Sequence, residues 1–372
     1  MLKILQILTD TNIGGAGMWL LNFLEAYDRQ RLDVAVVIPY ESALKERVEA
    51  LGIRVIEADG IDDISFTREG VTALKAIIRE ENPDIVHTHA CLSARVAARL
   101  LKVPVVNTRH CIEPPRNLIG KIIYGTLNKA LSDRAVAVSE AVKFNLIDDG
   151  IPEDRIEVIY NGVKPLRQMS RQEIIAAKEK YKLDGCCTVG IFARLEPVKN
   201  HMMFLTAAAA AYEINDKFRF LIVGDGSMRE ELEAEAKALG LGDAVTFTGF
   251  VDDISELMNV TDINVITSDS EAMSIALVEG MSLGKPSIAT DCGGPWEVLD
   301  GGRCGMIIPI DDAISLTAAI VMFAADTDLA VRYSEEGRKT AREIFSPEEM
   351  CRKLLALYED MTGRKEEAYE EV

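Results

Sequence analysis

The chain repeats one alternation from end to end: a short, unbroken apolar run, then a stretch with helical spacing. Candidate strands in the first half cover residues 3–8, 34–38, 54–57, 85–88, 105–108, 135–138 and 156–159. Helical stretches lie between them, for example at 18–26, 69–80 and 95–102. Continuous apolar runs, as opposed to every-other-residue patterns, belong to parallel strands covered on both faces. The reading is therefore α/β, with βαβ units in which each crossover is a helix.

The alternation pauses once. Asn161-Gly-Val-Lys-Pro-Leu-Arg167 is turn-rich and contains Pro165, which makes it the candidate linker. After a helical stretch at 171–181 the pattern restarts, with strands at 189–193, 218–223, 244–248, 263–266 and 286–289. A length of 372 residues suits two domains of ordinary size. Two tandem Rossmann-like domains fit better than one large sheet. We place them at 1–165 and 166–346, followed by a helix near 347–361 and a charged tail that frays.

Several function classes drop out on charge and hydropathy. The net charge of −19 repels a nucleic-acid backbone, and no basic run compensates. An acidic protein that takes an anionic small molecule must gather its useful cations at one place. No run of 18 apolar residues occurs, so no transmembrane helix is expected. The opening Met1-Leu-Lys-Ile-Leu-Gln-Ile-Leu reads as a buried first strand and not as a signal peptide. Seven scattered cysteines without a C-x-x-C pair fit reduced thiols in a cytoplasmic protein. The amphipathic stretch 118–131 spaces Lys121 and Lys129 among apolar residues. It could touch an anionic membrane, but packing against the first domain's sheet is the preferred reading.

The chemistry concentrates in a few strand-end segments. In Ser270-Glu-Ala-Met-Ser-Ile-Ala-Leu-Val-Glu279 two glutamates stand eight residues apart. The stretch reads as a loop ending near Glu271, then a short buried helix stopped by Gly284 and Pro286; at helical rise it would span roughly 12 Å, with Glu271 and Glu279 within about 80° of each other around the axis. One carboxylate could hold sugar hydroxyls and the other ribose hydroxyls. The amides of Met273, Ser274 and Ile275 would face a diphosphate, because free N–H groups and the helix dipole favour anions. Arg194 and Lys199 leave one strand end within a short loop, a fixed guanidinium fork and a flexible ammonium suited to a leaving diphosphate. Turn glycines follow the strand ends at Gly224-Asp-Gly226 and Thr248-Gly-Phe250. The first strand runs into Ile13-Gly-Gly15, where backbone can approach a ligand closely. His87, His89 and His110 lie on two successive strand ends. Zinc is a weak reading of them. His87 reads as a satisfied core histidine, whereas His110 is placed to face a cleft and exchange hydrogen bonds near neutral pH.

Taken in order, Gly14-Gly15, His110, Asn161-Gly162-Val163, Arg194 with Lys199-Asn200, Gly224-Asp-Gly226, Glu271 with Glu279, and Gly293-Gly294 with Glu297 resemble the retaining glycosyltransferases of family 4. That resemblance spans nearly the whole chain. It implies the GT-B fold, two Rossmann-like domains facing a cleft, the first taking the acceptor and the second a nucleotide diphosphate sugar. It further implies that Glu271 binds the donor sugar and Glu279 the ribose. Arg194, Lys199 and Gly15 would hold the diphosphate, Phe250 would border the base, and His110 would stand beside the transferred sugar. The expected activity is metal-independent, cofactor-free retaining transfer of a hexose or N-acetylhexosamine, with uridine as the base. The acceptor would be a glycan, lipid-linked or small-molecule hydroxyl in polysaccharide, glycolipid or cell-envelope synthesis. A cytoplasmic site, with peripheral contact at the inner membrane face, goes with this. Two departures stand out. The family's Gly-Phe-Gly after the first glutamate is Ala272-Met273-Ser274 here, and Ala193 replaces a glycine before Arg194. The competing readings are a nucleotide-sugar 2-epimerase and a non-catalytic nucleotide-sugar-binding subunit.

Overall fold

In the computed structural model, which describes residues 1–364, the apolar runs form two all-parallel sheets. The chain divides into one unit of Met1–Gly162 plus the segment from Ser346 onward, and a second unit of Val163–Phe345.

The first unit holds β1 (Leu2–Ile7), β2 (Leu32–Pro39), β3 (Arg54–Ala58), β4 (Ile85–His89), β5 (Val105–Arg109), β6 (Arg134–Ala137) and β7 (Ile156–Val158). Their order is β3-β2-β1-β4-β5-β6-β7. The order reverses between β1 and β4, and at such a switch point loops diverge and leave a crevice beyond the carboxyl ends of the strands. Strand neighbours go to opposite faces. Ile4, Val34, Val36 and Ile38 join one core with Leu20, Phe23 and Leu24, while Leu5, Ile7, Ala35 and Val37 join another with Leu74, Ile78 and Ala97. That two-sided burial is why these strands read as unbroken apolar runs.

The C-terminal helix Pro347–Thr362 belongs to this first unit. Ser346 caps it by accepting from the Glu349 amide at 3.3 Å. It adds Leu354, Leu357 and Tyr358 to the core beside Trp19 and Phe23. Asn22 Nδ2 donates to the Gly162 carbonyl at 2.7 Å, in a bond that ties the end of the first unit's main run to the helix Gly15–Ala26. The strands expected from the sequence match those of this unit closely, whereas the final residues, 365–372, including most of the tail expected to fray, lie outside the described residues.

The amphipathic stretch departs from the preferred reading. The helix Leu118–Leu131 buries only Gly125 and Asn128. A Cβ on Gly125 would lie 2.7 Å from the Gly150 carbonyl oxygen, and Arg95 donates to Asn128 Oδ1 at 2.5 Å. The helix therefore attaches through a small and polar stripe. Its apolar residues Leu118, Ile119, Ile122 and Ile123 are left exposed instead of packing on the sheet. No single helix among the described residues is long and apolar enough to cross a membrane.

The second unit holds β8 (Cys187–Phe192), β9 (Phe218–Val223), β10 (Val245–Gly249), β11 (Ile263–Ile266), β12 (Ser287–Thr290) and β13 (Met306–Ile308), in the order β10-β9-β8-β11-β12-β13. The reversal between β8 and β11 gives it a switch point of the same kind. Its two faces bury Val189, Ile191, Phe220 and Val265 on one side and Phe192, Leu221 and Val223 on the other. Strand β13 escaped the sequence reading because it is three residues long and carries no pattern of its own. The division between units falls at 162/163 and 345/346, where Val163 N donates to the Phe345 carbonyl at 2.8 Å within the second unit. The sequence placed the first boundary after residue 165, at the proline.

Candidate active site

At the end of β8 the chain turns through Ala193-Arg194-Leu195 and is clamped to the loop after β9. Leu195 N donates to the Asp225 carbonyl at 2.9 Å, and Met228 N donates to the Leu195 carbonyl at 2.9 Å. Gly224, at φ 144°, makes this possible, since a Cβ there would come within 2.0 Å of the Ala193 carbonyl oxygen. Arg194 stays exposed on this clamped loop. No hydrogen bond ties its guanidinium to Lys199 or Glu271 among the described residues.

The chain then makes a turn at Pro197–Lys199. Asn200 adopts the left-handed conformation at φ 46° and caps the helix His201–Ile214, its side-chain oxygen accepting from Met203 N at 3.2 Å. Its amide donates to Asp269 Oδ1 at 3.0 Å. Asp269 N donates to the Val198 carbonyl at 2.9 Å, and Thr267 Oγ1 to the Lys199 carbonyl at 2.8 Å. Lys199 is thus fastened by its backbone to the segment that follows β11.

That fastening brings Lys199 to Glu271. Lys199 Nζ lies 2.5 Å from Glu271 Oε1, and Ser268 Oγ donates to the same oxygen at 2.9 Å. The two side chains are only 17% and 13% exposed, so the pair is far less screened than one on the open surface. An ammonium has three donors, and a carboxylate several acceptor positions. Two N–H groups of Lys199 and the Oε2 of Glu271 have no protein partner among the described residues. The pair is half satisfied internally and half open to a ligand.

Glu271 does not sit on the helix with Glu279: the helix starts at Ile275, later than the expected start near Glu271, so the helical spacing of the two carboxylates does not hold. Its backbone bridges to Gly293 in parallel, its N–H donates to the Cys292 carbonyl at 3.2 Å, and its carbonyl accepts from Gly294 N at 2.9 Å. The helix runs only from Ile275 to Ser282 and is capped by Ser274, whose Oγ accepts from Leu277 N at 3.4 Å. Pairing with the 292–294 segment wins over helix propagation. It requires Gly294, because a Cβ there would lie 2.1 Å from the Ala272 carbonyl oxygen. Met273 and Ser274 are buried in the turn before the helix, and Ile275 opens it. The helix start still follows Glu271 by a few residues, so its amides remain close to the ion pair in sequence and along the chain path.

Glu279 lies within that helix and is half-buried. Burial raises its carboxyl to about 7, and the nearby charge of Asp253 raises it further. Ala276 of the same helix packs in a cluster with Val251 and Ile254. The helix therefore stands beside the loop after β10, which carries Asp253 and the 77% exposed Phe250.

Gly15 and His110 belong to the first unit. Gly15 opens the helix Gly15–Ala26, where a Cβ would meet no atom within 4 Å, so the unit's own packing does not demand a glycine there. His110 follows β5. Its ring stacks on His89 at 5.0 Å between centroids and meets Trp19 edge-on at 5.9 Å. His110 Nε2 is 2.8 Å from His89 Nδ1, while Nδ1 is buried without a partner. Burial lowers the imidazole to about 4, so His110 is neutral at physiological pH. His87 is a satisfied core histidine, hydrogen-bonded to the Tyr358 hydroxyl at 2.6 Å and Thr108 Oγ1 at 2.7 Å. The three rings form a stack, and no group of His, Cys, Asp or Glu side chains among the described residues is arranged to hold a metal ion.

Sequence reasoning missed Ser268, which shares Glu271 Oε1 with Lys199, and the link between Asn200 and Asp269. A serine three residues before a glutamate in a strand-end loop carries no separate signal. Asn200 had a weak one, since an asparagine directly before an apolar helical stretch is a common cap.

Two family models match the chain. One, described as glycosyl transferases group 1, covers residues 175–340, and the other, glycosyltransferase family 4, covers residues 13–167. The putative glycosyltransferase EpsD of Bacillus subtilis (strain 168) is 28% identical, over 78% of this chain and 81% of that protein. The UDP-Gal:alpha-D-GlcNAc-diphosphoundecaprenol alpha-1,3-galactosyltransferase of Escherichia coli is 25% identical, over 80% of each. Among solved structures, Anabaena Alr3699/HepE in complex with UDP superposes with a TM-score of 0.85 at 23% identity, covering 96% of this chain and 100% of that one. The same protein in complex with UDP-glucose also gives 0.85, covering 98% and 100%.

Proposed function

Since the chain belongs to the family 4 glycosyltransferases and has their GT-B architecture, we propose that it moves a hexose or N-acetylhexosamine from a uridine diphosphate sugar to an acceptor hydroxyl with retention of configuration. The observation that carries this is the Lys199–Glu271 pair at the start of the helix Ile275–Ser282. A fold neighbour bound to UDP and UDP-glucose supports the choice of base.

Each residue has a distinct task in this reading. The unpartnered N–H groups of Lys199, joined by Arg194, take the diphosphate, with the amides at Ile275 adding donors. Glu271 Oε2 accepts from donor-sugar hydroxyls, and Glu279 accepts from the ribose. Phe250 lies along the base, and His110 stands beside the transferred sugar. As the bond to the leaving phosphate breaks, negative charge grows on the diphosphate. Lys199 neutralises it with little reorganisation, because its carbonyl is held by Thr267 and its ammonium by Glu271, and Arg194 adds a second positive charge. The leaving phosphate takes the acceptor's proton on the same face, so configuration is kept. Positioning and electrostatics do the rest, and two side-chain cations take the part that a divalent metal plays elsewhere. The exposed face of the helix Leu118–Leu131 carries Lys129 and no acidic residue of its own, while Lys121 is paired with Asp148, so an anionic membrane would meet apolar side chains together with one positive charge that is unpaired among the described residues. That contact brings the enzyme to lipid-linked acceptors.

The test is a donor panel of UDP- and GDP-linked sugars, with lipid-linked and soluble acceptors and chelator present. We expect turnover with a UDP-sugar, a product whose anomeric configuration by NMR matches the donor, and no effect of chelator. Inversion, or a requirement for divalent metal, sinks the mechanism. Binding of UDP-sugars with neither hydrolysis nor transfer points to the non-catalytic alternative.

A further inference from the structure

The histidine stack carries a chain of hydrogen bonds whose directions can be worked out from one end. The Tyr358 hydroxyl, buried on the C-terminal helix, stays protonated because burial raises it far above its ordinary value. Its neighbours are the Gln6 amide nitrogen at 3.3 Å, which can only donate, and His87 Nδ1 at 2.6 Å. The hydroxyl therefore donates to His87 Nδ1. His87 is neutral and carries its proton on Nε2, which donates to Thr108 Oγ1 at 2.7 Å.

With its nitrogen turned toward Tyr358, Gln6 points its Oε1 at His89 Nε2, 3.1 Å away. A carbonyl oxygen only accepts, so the single proton of neutral His89 is on Nε2 and its Nδ1 is bare. That bare nitrogen lies 2.8 Å from His110 Nε2 and must accept from it. His110, also neutral, is left with a bare Nδ1, buried and without a partner among the described residues. Reversing the Gln6 amide reverses every step, and His110 would then present an N–H at the same place. Register makes Gln6 the natural selector, since β1 pairs Gln6 directly with His87 on β4.

We propose that Gln6, acting through His89, is a positioning residue that holds His110 in the Nε2–H tautomer, so that Nδ1 is a hydrogen-bond acceptor reserved for a hydroxyl of the sugar. The assignment of that hydroxyl to the sugar rests on the function proposed above; the tautomer does not. A bare nitrogen attracts an O–H and repels a phosphate or carboxylate oxygen, so the group taken up is a donor. Trp19 packs edge-on or tilted against all three rings and keeps the stack in place.

The experiment is a two-bond proton–nitrogen correlation spectrum of the full-length protein labelled at histidine. Only four histidines occur, so each pattern is assignable by substitution. We expect Nε2–H signatures at His87, His89 and His110. In Gln6→Leu, the His110 signature should become a mixture, and Gln6→Glu, whose carboxylate can only accept, should restore it. Turnover follows the same order. Gln6→Leu should lower kcat/KM about tenfold, the loss of roughly one neutral hydrogen bond. That loss should vanish with the monodeoxy UDP-sugar lacking the matched hydroxyl. An Nδ1–H signature at His110 in the unsubstituted protein overturns the relay, as does an Nε2–H signature unchanged in Gln6→Leu. If the tautomers follow Gln6 but every deoxy donor shows the same loss, the sugar assignment is wrong. Inactivity toward all nucleotide sugars defeats the proposed function instead and leaves the spectroscopic result to decide the relay.

Discussion

Glu279 offers the sharpest test of the nucleotide site, because its ionisation falls in an accessible range. Burial, reinforced by Asp253, lifts its carboxyl from 4.5 to about 7. Only the carboxylate can accept from both ribose hydroxyls. With a midpoint near 7, about a tenth is ionised at pH 6 and about nine tenths at pH 8. The Kd for UDP should therefore fall roughly tenfold across that interval, equivalent to about 1.4 kcal/mol. Ligand-free stability runs the other way. A carboxyl whose folded value is raised contributes stability that is fully present below 4.5 and lost as pH rises through about 7. Calorimetric titration of UDP at several pH values, with Glu279→Gln alongside, separates this from titration of the ligand's own phosphate. The glutamine variant should lack the tenfold component, and Asp253→Asn should move the midpoint down. Identical pH profiles for the unsubstituted protein and Glu279→Gln would refute the assignment of Glu279 to the ribose.

Three further outcomes follow from the packing. Lys199→Met leaves Glu271 with Ser268 alone, so transfer should fall by roughly 10²–10³ and stability by about 1–3 kcal/mol; steady-state rates within twofold of the unsubstituted enzyme contradict the diphosphate role. Gly294→Ala places a methyl against the Ala272 carbonyl. It should cost about 1–3 kcal/mol in chemical denaturation and raise the KM for donor, whereas an unchanged KM would show that Glu271 does not depend on this close approach. Replacing Ile119 and Ile122 with serine should weaken sedimentation with anionic vesicles while leaving turnover on a soluble acceptor intact. Equal vesicle binding by the variant removes the membrane role of that helix.

The sequence carried the architecture because the architecture is periodic. Unbroken runs such as Val34 to Ile38 mark two-sided burial, and they recur often enough to imply two parallel sheets without any long-range information. It carried the ionic residues for a different reason, namely that Lys199, Glu271 and Glu279 are costly to place, the first two in loops after strand ends and the third within a short apolar helix. What it could not carry is anything decided by a contact between distant segments. Periodicity continues the helix back through Met273 toward Glu271, yet pairing with Cys292 and Gly294 stops it at Ser274. Likewise the helix Leu118–Leu131 has the pattern of a core helix, and the approach of Gly125 to Gly150, with the Arg95–Asn128 bond, turns its apolar face outward. His110 shows the limit most clearly. Its spacing from His87 and His89 is visible in the chain, but whether it donates or accepts is settled by an amide on the first strand and a hydroxyl on the last helix, more than 350 residues apart by the separation of Gln6 and Tyr358. The chemical character of the site is thus a property of the hydrogen-bond network, and a change at Gln6 that leaves every proposed substrate contact in place should still alter what His110 can bind.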